Sequence, residues 1–207
     1  KKISEITKKY KKLLLVDGIA SVGGIDINTD KLKIDFLITS SQKCFSAPAG
    51  LGIMSLSKEA LNFIKKNKKK QIGFMININK LIEYQNKWKL WHPHGPTTAP
   101  VSIYLALETA LDNLFKEKLL KVYKRHLFVK DYIRKSLKKL NIELFIKDDT
   151  YSSSTLTCFI LPKEIDAKKF LKDMQKDYFI TLSGDLGYVN PQLIRIGHMG
   201  TQANIKY

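Results

Sequence analysis

Two short apolar runs, each closed by polar residues, constrain this chain more than any other feature. Leu13-Leu14-Leu15-Val16 ends at Asp17-Gly18, and Ile34 to Thr39 ends at Ser40-Ser41-Gln42-Lys43. Runs of this length, apolar without alternation, describe strands buried on both faces, as in a parallel sheet. Gly52 to Leu56 is a third such run, after the turn-forming Ala47-Pro48-Ala49-Gly50. A sheet of this kind needs neighbouring strands and covering helices. The first part of the chain is therefore expected to be a portion of a larger α/β layer, with more chain before Lys1.

The pattern then changes. Ser57 caps a helix beginning at Lys58-Glu59. Residues from Gly73 to Pro100 read as irregular, with Trp88, Trp91, His92, His94 and Gly95 crowded together. A long amphipathic helix is expected from Val101 to about Tyr123, through Ile103, Leu107, Leu111, Leu114 and Leu119, and a second from about Leu127 to Leu140. Beyond Asn141 come expected strands at Ile142–Ile146, Thr155–Leu161, Tyr178–Leu182 and Leu193–Gly197. A helix at Ala167–Lys176, capped by Asp166, lies among them. That is a small α+β unit with its own core. The expected division is residues 1–122 and 123–207.

Composition narrows the function. Hydrophobic residues make up 44% of the 207, enough for a core, and no apolar run is long enough to span a membrane. The net charge of +17 would suit a nucleic-acid partner, but only Arg125, Arg134 and Arg195 among the 36 basic residues are arginines. Bases and phosphates are read best by guanidinium forks. Lysines spread along helices, including the cluster Lys65-Lys66-Asn67-Lys68-Lys69-Lys70, describe a solvated surface. The two cysteines, Cys44 and Cys158, have no metal-binding spacing and suit a reducing, cytoplasmic setting. His92-x-His94 lacks a third ligand, so no metal is expected.

Asp17 and Lys43 both lie just past the carboxyl ends of apolar strands, the edge at which open α/β sheets bind ligands. An acid and an amine there match what pyridoxal phosphate chemistry needs: a lysine to form a Schiff base, and an acid to keep the pyridine nitrogen protonated. Spacing alone leaves other roles open. A strand-end aspartate also serves as a turn or helix cap, and a lysine after a strand as a solvated charge.

The surrounding residues add a resemblance. Val16-Asp17-Gly18-Ile19-Ala20-Ser21-Val22-Gly23-Gly24, the stretch Asp35 to Lys43, Ala47-Pro48-Ala49-Gly50-Leu51-Gly52 and Leu193-Ile194-Arg195-Ile196-Gly197-His198-Met199-Gly200 together resemble the class V aminotransferases, nearest the alanine–glyoxylate and serine–pyruvate branch. The resemblance implies the C-terminal part of a three-layer fold-type I large domain, followed by a small α+β domain, in a homodimer. It implies amino transfer from a small amino acid to a 2-oxo acid such as glyoxylate or pyruvate. Carried over by position, Lys43 would hold the cofactor and shuttle the proton, and Asp17 would contact the pyridine nitrogen. Ile19 would lie against the ring, Gln42 near the phenolic oxygen or phosphate, and Thr98 at the phosphate. Arg195 would clamp the substrate carboxylate. Where relatives place a Tyr in the loop before the long helix, this chain has His94 or Gly95. Ser183 to Gly187 is expected to be a turn bordering the substrate entrance. Alternatives on the same scaffold are a phosphonate-type transaminase or a cysteine desulfurase, although desulfurases carry His where Gln42 stands. A basic nucleic-acid-binding relative without activity is the non-enzymatic alternative.

Overall fold

The computed structural model describes residues 2–67, 73–74, 76–88, 97–185, 187 and 189–206. The chain divides into two compact units: residues 1–19, 27–42 and 47–111 form one, and residues 20–26, 43–46 and 112–207 the other.

In the first unit the apolar runs become strands. β1 (Leu15–Asp17) and β2 (Phe36–Ser40) pair in parallel, with Val16 opposite Leu37 and Asp17 opposite Ile38. The connection between them carries a short helix, α2 (Thr29–Leu32), capped by the Asn28 side chain, which accepts the Lys31 N–H. β2 alternates between half-buried and buried residues, but β1 does not reach the burial its apolar run suggests, and Leu15 is 60% exposed. The cause is position: among the described residues β1 has a strand on one side only.

β3 (Gly52–Leu56) forms at the expected residues but runs antiparallel to β2, with Phe36 opposite Leu56. A parallel return needs a crossover of about a dozen residues or more, usually a helix. Residues 41–51 contain no helix and fold back as a tight loop. Ser57 then caps α3 (Lys58–Lys66) by accepting the Ala60 N–H.

Asp35 ties this unit together. It is 1% exposed, and its carboxylate accepts the Leu14 N–H and the Ser57 hydroxyl, both at 2.8 Å. Lys8 Nζ of an unforeseen helix, α1 (Lys2–Lys9), lies 3.1 Å from both carboxylate oxygens. Burial pushes the Asp35 carboxyl up, but the hydrogen bonds from Leu14, Ser57 and Lys8 outweigh it and hold the group below its usual range. The stretch read as irregular contains a further helix, α4 (Ile78–Trp88). Its start was legible after all: the Asn77 side chain accepts the Lys80 N–H, and Ile78, Leu81 and Ile82 recur at helical spacing. Trp91, His92, His94 and Gly95, together with Lys68–Lys70 of the basic cluster, lie outside the described residues.

The helices α5 (Val101–Glu117) and α6 (Leu119–Lys139) meet at Lys118, not near Tyr123. Lys118 takes φ 72°, a positive value that ends α5 without a glycine to announce it. The second unit carries an antiparallel sheet in the order β4-β5-β7-β6, built from β4 (Glu143–Leu144), β5 (Leu156–Ile160), β6 (Ser183–Gly184) and β7 (Leu193–Gly197). Its core is Leu144, Phe159, Leu161 and Ile194, packed by Leu137 of α6 and by Phe170 and Leu171 of α7 (Ala167–Tyr178). Asp166 caps α7 by accepting the Lys169 N–H. Arg134, 3% exposed, pairs with Asp149 and donates to the Ile146 carbonyl at 2.7 Å. No strand forms at Tyr178–Leu182. α7 runs through Tyr178, Phe179 turns left-handed at φ 56°, and Ile180 N–H returns to the Met174 carbonyl. This helix-ending turn satisfies the carbonyls that a strand would have left open. Among the described residues no helix is long and apolar enough to cross a membrane.

Candidate active site

Parallel pairing decides where the first unit can bind a ligand. Because β1 and β2 point the same way, their carboxyl ends share one sheet edge. Asp17 is the last residue of β1, exposed, and its Oδ1 accepts the Ile19 N–H at 2.9 Å. Its Oδ2 has no partner among the described residues. This small turn, with Gly18 N–H bonded to the Ile38 carbonyl, leaves Ile19 half-buried just beyond the carboxylate. Gln42 is exposed, two residues past the end of β2. Thr98 is exposed shortly before α5, and its hydroxyl has no partner among the described residues.

Ser41 is a support of this edge that sequence reading passed over. It is fully buried; its hydroxyl donates to the Pro48 carbonyl at 2.6 Å, and its backbone bonds Leu51 and Ala47. One hydroxyl thus closes the loop that contains Lys43. A serine inside the run Ser40-Ser41-Gln42 gives no local sign of such burial.

In the second unit Lys43 is half-buried, and its ammonium makes no hydrogen bond or ion pair among the described residues. Its turn is closed by the Ser46 N–H bonding the Lys43 carbonyl at 2.9 Å. Cys44 is 2% exposed and donates weakly to the Ala20 carbonyl, so it packs as a small apolar residue. Burial pushes its thiol up to about 11, and burial also raises the Cys158 thiol. Arg195 lies on β7 opposite Cys158, half-exposed, and its Nε donates to the Gly184 carbonyl at 2.9 Å. Both terminal guanidinium nitrogens have no partner among the described residues, which leaves one face of the fork for a carboxylate. His198 points away from that side: it is 2% exposed, with Nε2 at 2.9 Å from the Thr157 hydroxyl. In the segment expected to be a turn, Ser183–Gly184 is β6, and the Asp185 carboxylate accepts the N–H groups of Gly187, Val189 and Asn190. Leu186 lies outside the described residues. Asp17, Ile19, Gln42 and Thr98 thus belong to the first unit, and Lys43 and Arg195 to the second. No group of three His, Cys, Asp or Glu side chains that could hold a metal occurs among the described residues.

These features can be set beside known proteins. The family profile described as aminotransferase class V matches residues 1–185. An uncharacterized aminotransferase of Methanocaldococcus jannaschii is 36% identical over 97% of this chain and 50% of its own length. The alanine–glyoxylate aminotransferase of Oryctolagus cuniculus is 32% identical over 96% of this chain and 50% of its own. The crystal structure of an alanine–glyoxylate aminotransferase from Nostoc sp. superposes with a TM-score of 0.90 at 25% identity, covering 99% of this chain and 53% of that one. The chain spans about half the length of the relatives it matches.

Proposed function

Since the chain belongs to the class V aminotransferases, we propose that it forms part of a pyridoxal phosphate-dependent enzyme that moves the amino group of a small amino acid, of the alanine or serine type, to a 2-oxo acid such as glyoxylate or pyruvate. Residues 1–122 would be part of the cofactor-binding large domain and residues 123–207 the small domain, within a homodimer in the cytoplasm. The observation that carries this function is Lys43: a half-buried amine, unpaired among the described residues, two residues past a buried serine that closes its loop.

The residues fit the cofactor by their chemistry. Asp17 keeps one carboxylate oxygen without a partner, Lys43 keeps its whole amine, and Arg195 keeps two guanidinium nitrogens. When bound, pyridoxal phosphate supplies an electron sink for the carbon that loses its proton. Asp17 would hold a proton at the pyridine nitrogen, as an anion paired with a cation. Lys43 Nζ would attach the cofactor and, once the substrate's amine has displaced it, would act as the base that takes the substrate's α-proton and returns it two atoms away. Arg195 would orient the substrate carboxylate through its two terminal nitrogens. Ile19 would supply an apolar wall for the ring, Gln42 a donor near the phenolic oxygen or phosphate, and Thr98 a hydroxyl for the phosphate. A desulfurase needs a reactive thiol, whereas both cysteines here are free thiols raised by burial.

The test is chemical trapping. Borohydride reduction of the cofactor-loaded protein, followed by peptide mapping, is expected to place the cofactor on Lys43, and Lys43→Ala should lose both the label and turnover. A label on another lysine, or turnover in Lys43→Ala at the wild-type rate, would overturn the proposal.

A further inference from the structure

The turn that carries Lys43 is gripped from behind by residues with no part in binding or proton transfer. Ser46 closes the turn through its N–H to the Lys43 carbonyl and does so at φ 60°, a left-handed conformation that an L-serine adopts only when held there. What holds it is the turn after β7. Thr201 N–H donates to Ser46 Oγ at 2.9 Å. Gly200, itself left-handed at φ 57°, comes so close that a Cβ there would collide with Ser46 Oγ and lie 3.0 Å from the Cys44 carbonyl oxygen. Glycine is therefore required at 200 both for conformation and for contact.

Gly200 is in turn fixed from α6. Its N–H donates to His126 Nε2 at 3.0 Å, while His126 Nδ1 faces the Val122 carbonyl at 2.8 Å. The ring is therefore the neutral tautomer with its proton on Nδ1. The Gly200 carbonyl, and that of Ala203, accept from Arg125 Nη1 at 2.6 and 2.8 Å. Arg125 is aimed by Glu117, which takes Nε at 2.7 Å and Nη2 at 2.9 Å. Each link is a hydrogen bond or a close approach, and the series runs from the end of α5 through α6 to the backbone of Lys43.

The geometry points to Ser46 and Gly200 as positioning residues for Lys43, with Arg125 and His126 as their anchors: the clasp sets the backbone from which the lysine side chain reaches the cofactor. It rests on Lys43 being the cofactor-bearing lysine, as proposed above. Ser46 is exposed, so changing it leaves the core intact. Ser46→Gly removes the acceptor for Thr201 while making the left-handed φ cheaper, which separates positioning from stability.

The experiment compares wild type with Ser46→Gly and Ser46→Ala, each loaded with pyridoxal phosphate. Three quantities are read: the melting temperature, the dissociation constant of the cofactor by absorption titration, and the pH midpoint of the bound cofactor's spectral change. Ser46→Gly is expected to melt within a few degrees of wild type, yet to bind the cofactor roughly tenfold more weakly, with a displaced pH midpoint, as for loss of one positioning hydrogen bond of about 1.4 kcal/mol. Ser46→Ala should show the same spectral change with a lower melting temperature. Wild-type affinity and midpoint in both variants, with peptide mapping still placing the cofactor on Lys43, would overturn the positioning role alone. A wild-type protein whose label maps away from Lys43 would overturn the Lys43 assignment, and the clasp's role with it.

Discussion

Acid should destabilise the fold through His198, and the size of the effect follows from its surroundings. Burial pushes the imidazole down to about 4, and the nearby His126 and Lys130 push in the same direction. Its Nδ1 has no hydrogen-bond partner among the described residues. An unfolded chain would titrate this histidine near its ordinary value of about 6.5. The folded pKa lies below the unfolded one, so the stabilisation is fully present above pH 6.5 and is lost as the pH falls toward the folded value of about 4. Linkage over that interval gives a loss of about 2 kcal/mol by pH 5 and about 3 kcal/mol by pH 4. Carboxylates such as Glu117, held low chiefly by its hydrogen bond with Arg125, also lose stabilisation in acid, so the histidine must be separated from them. The assay is urea unfolding of wild type and His198→Asn between pH 7.5 and 4, followed by far-UV circular dichroism. The variant is expected to start less stable, since it gives up packing and the bond to Thr157. The gap between the two proteins should then close by about 3 kcal/mol as the pH falls, because only the wild type takes up the extra proton on unfolding. A gap that stays constant across the range would refute the burial argument.

Two other perturbations read separate parts of the molecule. On the proposed role of Arg195, Arg195→Ala would remove a charge-assisted fork of about 1.5–3 kcal/mol, so KM for carboxylate substrates should rise roughly 10- to 150-fold while kcat changes far less. An unchanged KM would remove Arg195 from the substrate. Gly24→Ala would put a Cβ 2.5 Å from Thr155 Cγ2 and 2.9 Å from Cys44 Sγ, and overpacking of this kind costs about 1–3 kcal/mol. It should lower the urea midpoint without changing the slope, and an unchanged midpoint would mean that the segment yields freely.

What could be read from the sequence was local. Ser57 and Asp166 each accept the N–H three residues on, and a cap of that kind is written in consecutive residues. Asp17 stands at a strand's carboxyl end because an apolar run ends there. Direction was not legible for β3, since strand identity is in the residues but antiparallel return depends on how a short loop closes. The break at Lys118 and the turn at Phe179 were hidden for another reason: both use a positive φ at residues that are not glycine. Within the candidate site the sequence offered side chains suited to the proposed chemistry, and the residues that hold their loops were not legible. Gly200 and His126 act through contacts with residues distant in the chain, and Ser41 through a loop closure seven residues on that its polar neighbours do not announce.

Each of the three arginines reaches a backbone carbonyl: Arg125 to Gly200 and Ala203, Arg134 to Ile146, and Arg195 to Gly184. The positive charge of the molecule is carried almost wholly by lysines, and at each arginine the planar, multi-donor head bonds main chain and keeps further donors for a carboxylate. Lys8 at Asp35 apart, charge and architecture are therefore separable in this protein. Exposed lysines can drift to neutral or acidic residues with consequences for solubility, whereas an arginine exchanged for lysine keeps its charge and loses its grip.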